Sequence, residues 1–460
     1  MRCIRTMHKH RIPFLAAVLV LLAGPAGATS APVPLTLQEA VAIGLEKNPV
    51  HKAALANRRA AEAGQREARA GFLPRLNFSE AVTGGNDPVY VFGTKLRQNI
   101  FTGSDFALSS LNTPSPITNF ATRFGANWTV FDSFATQRNL QRSKQMTQIA
   151  ASELTRTDQE LIFHIVDAYY GLLLVAKQAE LAEGTVNTAQ AVLDSSKARV
   201  ESGMTVESDA LAAQVNLAAR QQDLIAANNA LAFARARLST ALGMPASEVY
   251  LPAEPLAERV LPDAVLEEVE ARALRERPDL KQADLQRVSQ QTGVALAKSA
   301  FGPSINVFAD WELDNHNFAS TGGHNWMAGA ELKFEIFSGG QRRAQLDREK
   351  SLLERATALR QSAKDSVRLD VRRAFYDHEA ARQMLEVART AVAQAEESLR
   401  ITQNRYSAGL TPITELLRAE DAARTTRTSY WQSVYRYQET YATLELAAGS
   451  LTPDSRLVTP

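Results

Sequence analysis

The sequence GFLPRLN at residues 71–77 returns as AFGPSIN at residues 300–306, and this repetition decides how the chain is organised. The two copies lie 229 residues apart. Further along, the offset falls to 206 residues and holds, as RVESG at 199–203 and RYSAG at 405–409 show. The chain is therefore an internal duplication. The change from 229 to 206 places 23 extra residues in the first half, between residues 74 and 131.

The two repeats, residues 35–250 and 260–450, show the same order of patterns. Each begins with a helical stretch of about 35 residues, followed by a pair of strands. A very long helical stretch, a glycine turn and a returning helix complete each repeat. The predicted first helices are 36–71 and 263–300, and the predicted long helices are 134–203 and 341–408.

A seven-residue apolar repeat runs through the second long helix. Every seventh residue from Leu346 gives a series that continues with Leu353, Arg360, Val367, Ala374, Ala381, Ala388 and Ala395. A companion series ends with Val371, His378, Leu385, Val392, Leu399 and Tyr406. Such a repeat is typical of a coiled-coil seam. Seventy helical residues span roughly 100 Å, which is too long for a compact domain and suits a structure that crosses a periplasm.

Alternation with a period of two predicts four strands, two in each repeat. Residues 326–336 carry apolar side chains at every second position, and residues 305–313 and 124–130 do the same. A weaker strand lies at residues 76–82. This pattern fits barrel strands that face lipid on one side and a lumen on the other. Three of the chain's four tryptophans lie on the apolar faces, where an aromatic girdle is expected: Trp128, Trp311 and Trp326.

Four strands cannot close a barrel, and an open edge in lipid leaves backbone groups unpaired. Strands in lipid therefore require oligomerisation. Two copies give eight strands, which fill their own lumen with side chains, so at least three copies are favoured. The alternative for the strands is a soluble sandwich with one dry face.

The first 28 residues have the order of a secretory signal peptide, with basic residues, an apolar run at 14–23 and small residues before a cleavage point after Ala28. The mature chain would span residues 29–460. The only cysteine, Cys3, would leave with the signal, so we expect neither lipidation nor disulfides. No later segment is predicted to be a transmembrane helix.

Charge and motifs exclude other classes of protein. Removal of residues 1–28 takes away four basic residues and leaves 47 basic against 50 acidic, a net charge of −3, which gives no case for nucleic-acid binding. We find no phosphate loop, nucleophile motif or paired-histidine motif, so no enzymatic activity, cofactor or metal is predicted. His316 and His324 lie in one loop, but two histidines eight residues apart are a weak basis for a metal site.

In its motifs and their order, the sequence resembles the TolC family of outer-membrane efflux proteins. The matching segments are LTLQEA at 35–40 with Asn48-Pro49, GFLP at 71–74, FSGG at 337–340 and YSAGLT at 406–411. The resemblance implies a mainly α fold in a homotrimer, whose twelve strands form one outer-membrane β-barrel and whose twelve coiled-coil helices form a periplasmic α-barrel. It also implies docking with a periplasmic adaptor and an inner-membrane pump. Substrates would be drugs, metals, dyes or secreted proteins, and the sequence does not choose among them.

The resemblance also implies roles for residues at the glycine turns. The adaptor-docking tips would be Gly203, Met204 and Thr205 in the first repeat and Gly409, Leu410 and Thr411 in the second. The pore gate would be formed by Tyr406, Glu415, Arg418 and Asp209. Thr411 takes a position where the family has an arginine, and Arg418 one where it has an aspartate, so the gate is altered. We expect the Tyr406 hydroxyl to bond to Asp209, and Arg418 to pair with Glu415 at a spacing of three residues.

The first outer loop, residues 84–119, is rich in aromatic residues, which predicts a packed lid over the barrel mouth. The main rival interpretation of the whole chain is a structural or adhesive periplasmic coiled coil. It would explain the heptads but not the two repeated strand pairs.

Overall fold

A computed structural model describes residues 33–318 and 320–459 of the chain. The predicted signal peptide and Cys3 lie outside these residues. The first repeat contains β1 (Val33–Leu35), α1 (Leu37–Lys47), α2 (Pro49–Ala70), β2 (Arg75–Gly85), α3 (Pro88–Arg97), α4 (Leu108–Asn112), β3 (Ile117–Phe131), α5 (Ala135–Glu201), α6 (Glu207–Ala241) and β4 (Tyr250–Pro252). The second contains α7 (Leu266–Glu276), α8 (Pro278–Ser299), β5 (Ser304–Asn315), β6 (Gly323–Lys333), α9 (Gln341–Ser407) and α10 (Ile413–Ala448).

The two long helices α5 and α9 have 67 residues each, which corresponds to about 100 Å. Their bounds agree with the predicted stretches to within about two residues. The heptad series on α9 forms its buried seam, with Val367, Val371, Ala374 and Ala381 all at most 3% exposed. The mainly helical fold predicted from the spacing is therefore confirmed.

The predicted first helix of each repeat is wrong in one respect, because a proline breaks it. Helix α1 ends at Lys47 and α2 begins at Pro49, while Asn48 between them has an extended backbone with ψ of 129°. Helices α7 and α8 are separated in the same way by Arg277, with ψ of 125°. The ring of a proline clashes with a helical conformation of the residue before it. The X-Pro pair thus ends one helix and starts the next.

Each break is packed against the C-terminal end of the returning helix. The Asn48 Nδ2 donates to the carbonyl oxygen of Ala241, the last residue of α6, at 2.8 Å. A Cβ atom added to Gly243 would lie only 2.5 Å from the Asn48 Cα. Gly243 has a φ of +75°, a conformation that glycine adopts without strain. The residue must therefore be glycine for two independent reasons.

A compact layer surrounds the middle of the helices. Strands β1 and β4 pair in parallel, and the Tyr169 hydroxyl donates to the Leu35 carbonyl oxygen at 3.0 Å. Ile165 of α5 and Leu457 of the C-terminal tail are fully buried in the same core. We call this layer the waist. It joins both repeats through α5 and α10.

The helices lie side by side in two arrangements. On the strand side of the waist the order of contacts is α2-α5-α8-α9, and on the other side it is α6-α5-α10-α9. We call the side away from the strands the region below the waist. Its edge helices are therefore α6 and α9. Each exposes apolar side chains on one face at helical spacing: Leu211, Val215, Ile225 and Phe233 on α6, and Leu369, Tyr376, Met384 and Val387 on α9.

The four long strands form one antiparallel sheet in the order β2-β3-β5-β6. Strand β6 ends at Lys333. The prediction that it reaches residue 336 is therefore wrong by three residues. Strand β3 carries a bulge between Thr129 and Phe131, which brings Phe131 opposite Ile305. The simple alternation predicted that Val130 continues the register of Trp128. The bulge adds one residue to β3 only, so Val130 does not.

One 18-residue window in α5 is apolar enough to cross a membrane by length and composition, with a mean hydropathy of 1.2. No such segment was predicted from the sequence. However, 56% of that window is buried inside the structure. Helix α5 supplies waist residues such as Ile162 and Leu172, so its apolarity is explained by packing.

The first outer loop folds on itself between β2 and β3. It contains α3, a 3-10 turn at Gly103–Phe106 and α4. Phe101 contacts both Phe92 and Phe106, with ring centroids 4.9 and 5.1 Å apart. The Lys95 ammonium binds Asp105 at 2.6 Å and lowers the pKa of that carboxyl to about 2. The three rings thus contact one another within the loop. The position of the loop over a barrel mouth stays a prediction.

Candidate functional site

The sheet has one apolar and one charged face, and an aromatic row crosses the apolar one. Phe78 lies opposite Phe124, Phe124 opposite Trp311, and Trp311 opposite Trp326, so the row spans all four strands. The Trp326 side chain is 79% exposed in the single chain. A continuous belt of exposed aromatic side chains is what a membrane interface stabilises. Its register across the strands could not be read from the sequence.

The opposite face of the sheet carries charged and polar residues. Arg123 of β3 donates to Glu312 of β5 at 2.8 Å. Asn77 and Asp310 both flank Gly125, where an added Cβ would lie 2.8 Å from each side chain. This face therefore resembles the polar lining of a water-filled lumen.

The two glycine turns have the same backbone geometry. The Gly203 and Met204 amides donate to the carbonyl oxygens of Val200 and Arg199 at 2.9 and 2.8 Å. Gly409 and Leu410 make the equivalent bonds in the second repeat, at 3.0 and 2.9 Å. This pattern is a Schellman motif, which ends a helix with one left-handed residue. The glycines, with φ of +71° and +73°, meet that requirement.

The two turns lie next to each other at the end of the helices. They line a shared cavity of about 300 Å³, whose residues are Arg199, Met204, Thr205, Asp209, Tyr406, Gly409, Leu410, Thr411, Pro412 and Ile413. Met204 and Leu410 project outward and are 71% and 70% exposed. Five of the six residues predicted for the tips line this cavity, and the sixth, Gly203, precedes Met204 in the same turn.

Tyr406 is held by the first repeat, but not in the predicted way. Its ring is 9% exposed and its hydroxyl lies 3.3 Å from the Ser196 Oγ. Asp209 instead accepts a hydrogen bond from the Thr205 hydroxyl. The predicted bond between Tyr406 and Asp209 is therefore wrong within one chain. The reason is that Tyr406 lies on the inner seam of α9, where it packs with Leu193 and Ile413.

Glu415 and Arg418 form the predicted ion pair on the exposed side of α10. Arg418 Nη1 donates to Glu415 Oε1 at 2.6 Å. Both side chains are well exposed, so the pair contributes little to stability. It does compensate the charge of Glu415 locally. Asp209 occupies the equivalent position in the first repeat, at an offset of 206 residues.

Arg199 is the tip residue that the sequence did not single out. Its guanidinium lies 4.8 Å from the centre of the Tyr406 ring and donates to the Tyr406 carbonyl oxygen at 2.9 Å. The first contact is a cation–π interaction and the second joins α5 to the last turn of α9. A signal was present, because Arg199 and Arg405 are one of the matched pairs of the duplication.

Among the described residues, no group of three or more His, Cys, Asp or Glu side chains could hold a metal ion. His324 lies on β6 opposite Leu313, while His316 follows the end of β5.

A family model described as outer membrane efflux protein matches residues 43–244 and 270–450. The match covers most of the chain and both repeats. The chain belongs to the outer membrane efflux protein family. This confirms the resemblance found in the sequence, and it places the protein in the cell outer membrane. The family consists of channels and not of enzymes.

Individual relatives are distant. The chain is similar to protein CyaE of Bordetella pertussis, with 25% identity over 297 residues that cover 64% of this chain and 63% of the relative. It is also similar to the alkaline protease secretion protein AprF of Pseudomonas aeruginosa, with 23% identity, 91% of this chain and 85% of the relative. Its fold is similar to the Campylobacter jejuni CmeC outer membrane channel, with a TM-score of 0.77, 16% identity and coverage of 92% and 87%.

Proposed function

We propose that this protein is the exit duct of a tripartite efflux or type I secretion system. It passes substrates from a periplasmic adaptor and an inner-membrane pump to the exterior. The observation that carries the proposal is the joining of a sheet with one apolar and one charged face to helices about 100 Å long. A lipid-facing sheet at one end and a periplasmic helical part at the other fit a duct.

The duct is a homotrimer. Strands β2 and β6 each lack a partner on one side among the described residues, and such edges are costly in lipid. Three copies supply twelve strands, which close a barrel with room for a lumen. Below the waist, the apolar faces of α6 and α9 lie at the two edges of the chain. Contact between α6 of one copy and α9 of the next buries both.

The tips hold the gate and the docking surface. Tyr406, Glu415, Arg418 and Asp209 form the gate at the helical end of the tunnel, and Arg199 fixes the buried Tyr406 in place. Gly203, Met204, Thr205, Gly409, Leu410 and Thr411 contact the adaptor, because the exposed Met204 and Leu410 offer an apolar surface that another helix can cover. The two repeats present this surface twice in each chain.

The pump, and not the duct, determines which substrate is exported. The name of AprF concerns the secretion of a protease, and we assign the choice of cargo to the pump. We assign no catalytic role, no cofactor and no nucleic-acid partner to the protein. The lipid of the outer membrane is the remaining partner.

A structural coiled coil is the rival that experiment must exclude. We expect the protein to remain in the outer-membrane fraction after washing with carbonate, and to form ion-conducting pores in planar bilayers when purified in detergent. A matched control is a variant that lacks residues 304–333, which removes β5 and β6 and leaves only two strands. Release by washing, or bilayers that do not conduct, would contradict the proposed function.

A further inference from the structure

The first outer loop makes its tertiary contacts on the charged face of the sheet. Helix α3 packs against β3 and β6. Asn119 lies four residues from Arg123 on β3, and Asp314 lies two residues from Glu312 on β5. These even spacings put all four side chains on the charged face. In the proposed barrel the charged face lines the lumen. The loop therefore leans over the lumen and away from the lipid side.

A buried chain of hydrogen bonds fixes α3 there. Gln98, at the end of α3, donates through its Nε2 to the Thr118 carbonyl oxygen at 3.0 Å and to the Asn119 Oδ1 at 2.8 Å. Asn119 Nδ2 donates to Asp314 Oδ1 at 2.6 Å. Gln98, Asn119 and Asp314 are 3%, 4% and 0% exposed. We call these three residues the latch. Buried polar networks of this kind fix one geometry.

Two further contacts bring the loop close to the strands. Gly323 of β6 is so near that an added Cβ would lie 1.8 Å from the Arg97 carbonyl oxygen. The Arg97 guanidinium lies 3.6 Å from Glu312, which also binds Arg123. The loop thus places a positive charge next to the acidic residues of β5, which are Asp310, Glu312 and Asp314. Steric fit and charge both favour this one position of the loop.

One polar atom of the latch makes no hydrogen bond within the described part of the chain. Gln98 Oε1, and Asn315 Nδ2 next to the latch, are buried without a hydrogen-bond partner in the part of the chain that the structure describes. A buried polar group without a partner lowers the net stability of the network that contains it.

We propose that residues 86–116 form a lid that narrows the external mouth of the duct, and that the latch of Gln98, Asn119 and Asp314 holds this lid against the lumenal face. The inference rests on the proposed function, because the charged face is lumenal only in a closed barrel. Three lids, one from each copy, surround the axis. The lid lies at the opposite end of the molecule from the helical tips and acts separately from them.

Cysteine labelling of intact cells tests the lid. Asn77 lies on the charged face and is exposed in the single chain, so Asn77→Cys reports access to the lumen from outside. Cys3, the only cysteine, is replaced by serine. The probe is a bulky, membrane-impermeant maleimide, and its labelling rate is compared in chains with four kinds of lid: the natural lid, a lid with Gln98→Leu, a lid with Val89→Gln, and a short Gly-Ser linker in place of residues 88–113.

We expect slow labelling with the natural lid and labelling at least about tenfold faster with the linker. Gln98→Leu removes two hydrogen bonds and should accelerate labelling about tenfold. Val89→Gln alters an exposed lid residue that is outside the latch and should change nothing. Equal rates for the natural lid and the linker would overturn the lid. An unchanged rate with Gln98→Leu would overturn the latch.

A second cysteine position separates failure of the lid from failure of the duct. Asn317→Cys lies in the exposed loop after β5 and should label rapidly with every lid. Rapid labelling there with no lid effect at position 77 would refute only the lid. No labelling at position 317 in any variant would contradict the outer-membrane duct itself.

Discussion

In the first tip the Thr205 hydroxyl donates to Asp209, whereas in the second the equivalent Glu415 pairs with Arg418. The backbone turns are the same, with left-handed glycines at both. The duplication has therefore kept the turn and changed the side chains around it. The first tip is held by its own residues. The second is also fastened to the first, through Arg199 and Tyr406.

The same divergence appears at the waist. Position 239 in the first repeat is a buried serine whose hydroxyl donates to the Glu248 carbonyl oxygen. Its equivalent 206 residues later is Glu445, and burial raises the pKa of that carboxyl to about 7. The repeats thus share their architecture and differ in where charge and hydrogen bonds are placed. At this position the second repeat carries a titratable carboxyl and the first repeat does not.

The largest effect should come from comparing a glycine at the waist with a glycine at a tip. Gly243 and Gly203 have nearly the same φ, but only Gly243 has backbone atoms of Asn48 within 3 Å of an added Cβ. We expect Gly243→Ala to lower the free energy of unfolding by about 3 kcal/mol or more, since strain and overpacking add. Gly203→Ala should cost about 1 kcal/mol. Circular dichroism during thermal unfolding measures both, and equal losses would contradict the packing at the waist.

The next effect should distinguish the two equivalent arginines of the tips. Arg199→Ala removes the cation–π contact and the bond to the Tyr406 carbonyl, together worth about 2 kcal/mol. We expect the open probability of single channels to rise by about tenfold or more. The Arg405 side chain is exposed and makes no hydrogen bond or ion pair among the described residues, so Arg405→Ala is the control. If both variants behaved alike, Arg199 would have no special role in the gate.

A smaller effect should appear as a pH dependence at the waist. The folded-state pKa of Glu445, about 7, lies above the ordinary value of 4.5. The folded chain therefore binds this proton more tightly, and the stability contributed by the group falls as pH rises from about 4.5 to 7. Glu445→Gln should raise the free energy of unfolding at pH 8 by about 1–2 kcal/mol. It should have little effect at pH 4, where both states are protonated.

Unfolding at the two pH values, with Ser239→Ala as the matched control in the first repeat, checks this prediction. Ser239 has no charge to lose, so its variant should shift stability equally at pH 4 and pH 8. A Glu445→Gln variant with the same shift at both pH values would show that folding does not raise the pKa of this carboxyl.

The smallest effect concerns the ion pair on α10. Arg418→Ala exposes the charge of Glu415 in each copy, and cations should then block the channel more readily. An exposed pair is worth about 0.5–1 kcal/mol, so the blocking concentration of a divalent cation should fall about two- to fivefold. Arg400→Ala, which breaks an exposed pair with Glu397 at the same spacing on α9, is the control. An unchanged blocking concentration would place Glu415 outside the pore.

Much of the fold could be predicted from the sequence, because periodicity carries it. The heptads fixed the long helices and the alternation found the four strands. The breaks at Asn48 and Arg277 were missed because the apolar spacing continues across them and only the proline interrupts the backbone. The bulge at Val130 was missed for a related reason, since one extra residue in a strand leaves no trace in composition.

The candidate site was predictable in its position and not in its contacts. The glycine turns and the pair of Glu415 with Arg418 depend on local spacing, which the sequence displays. The partner of Tyr406 depends on how α5 and α9 face each other across 210 residues. A local sequence pattern does not encode a contact between residues so far apart in the chain. The latch of the lid, which joins Gln98 to Asp314, has the same long-range character.

The central claim is that the sheet closes into a barrel only when copies of the chain assemble. Native mass spectrometry of the protein extracted from outer membranes in mild detergent tests it most directly. We predict a complex of three chains, because three sheets of four strands leave no open edge and enclose a lumen. A protein that is released from the membrane as a monomer or a dimer would contradict the account.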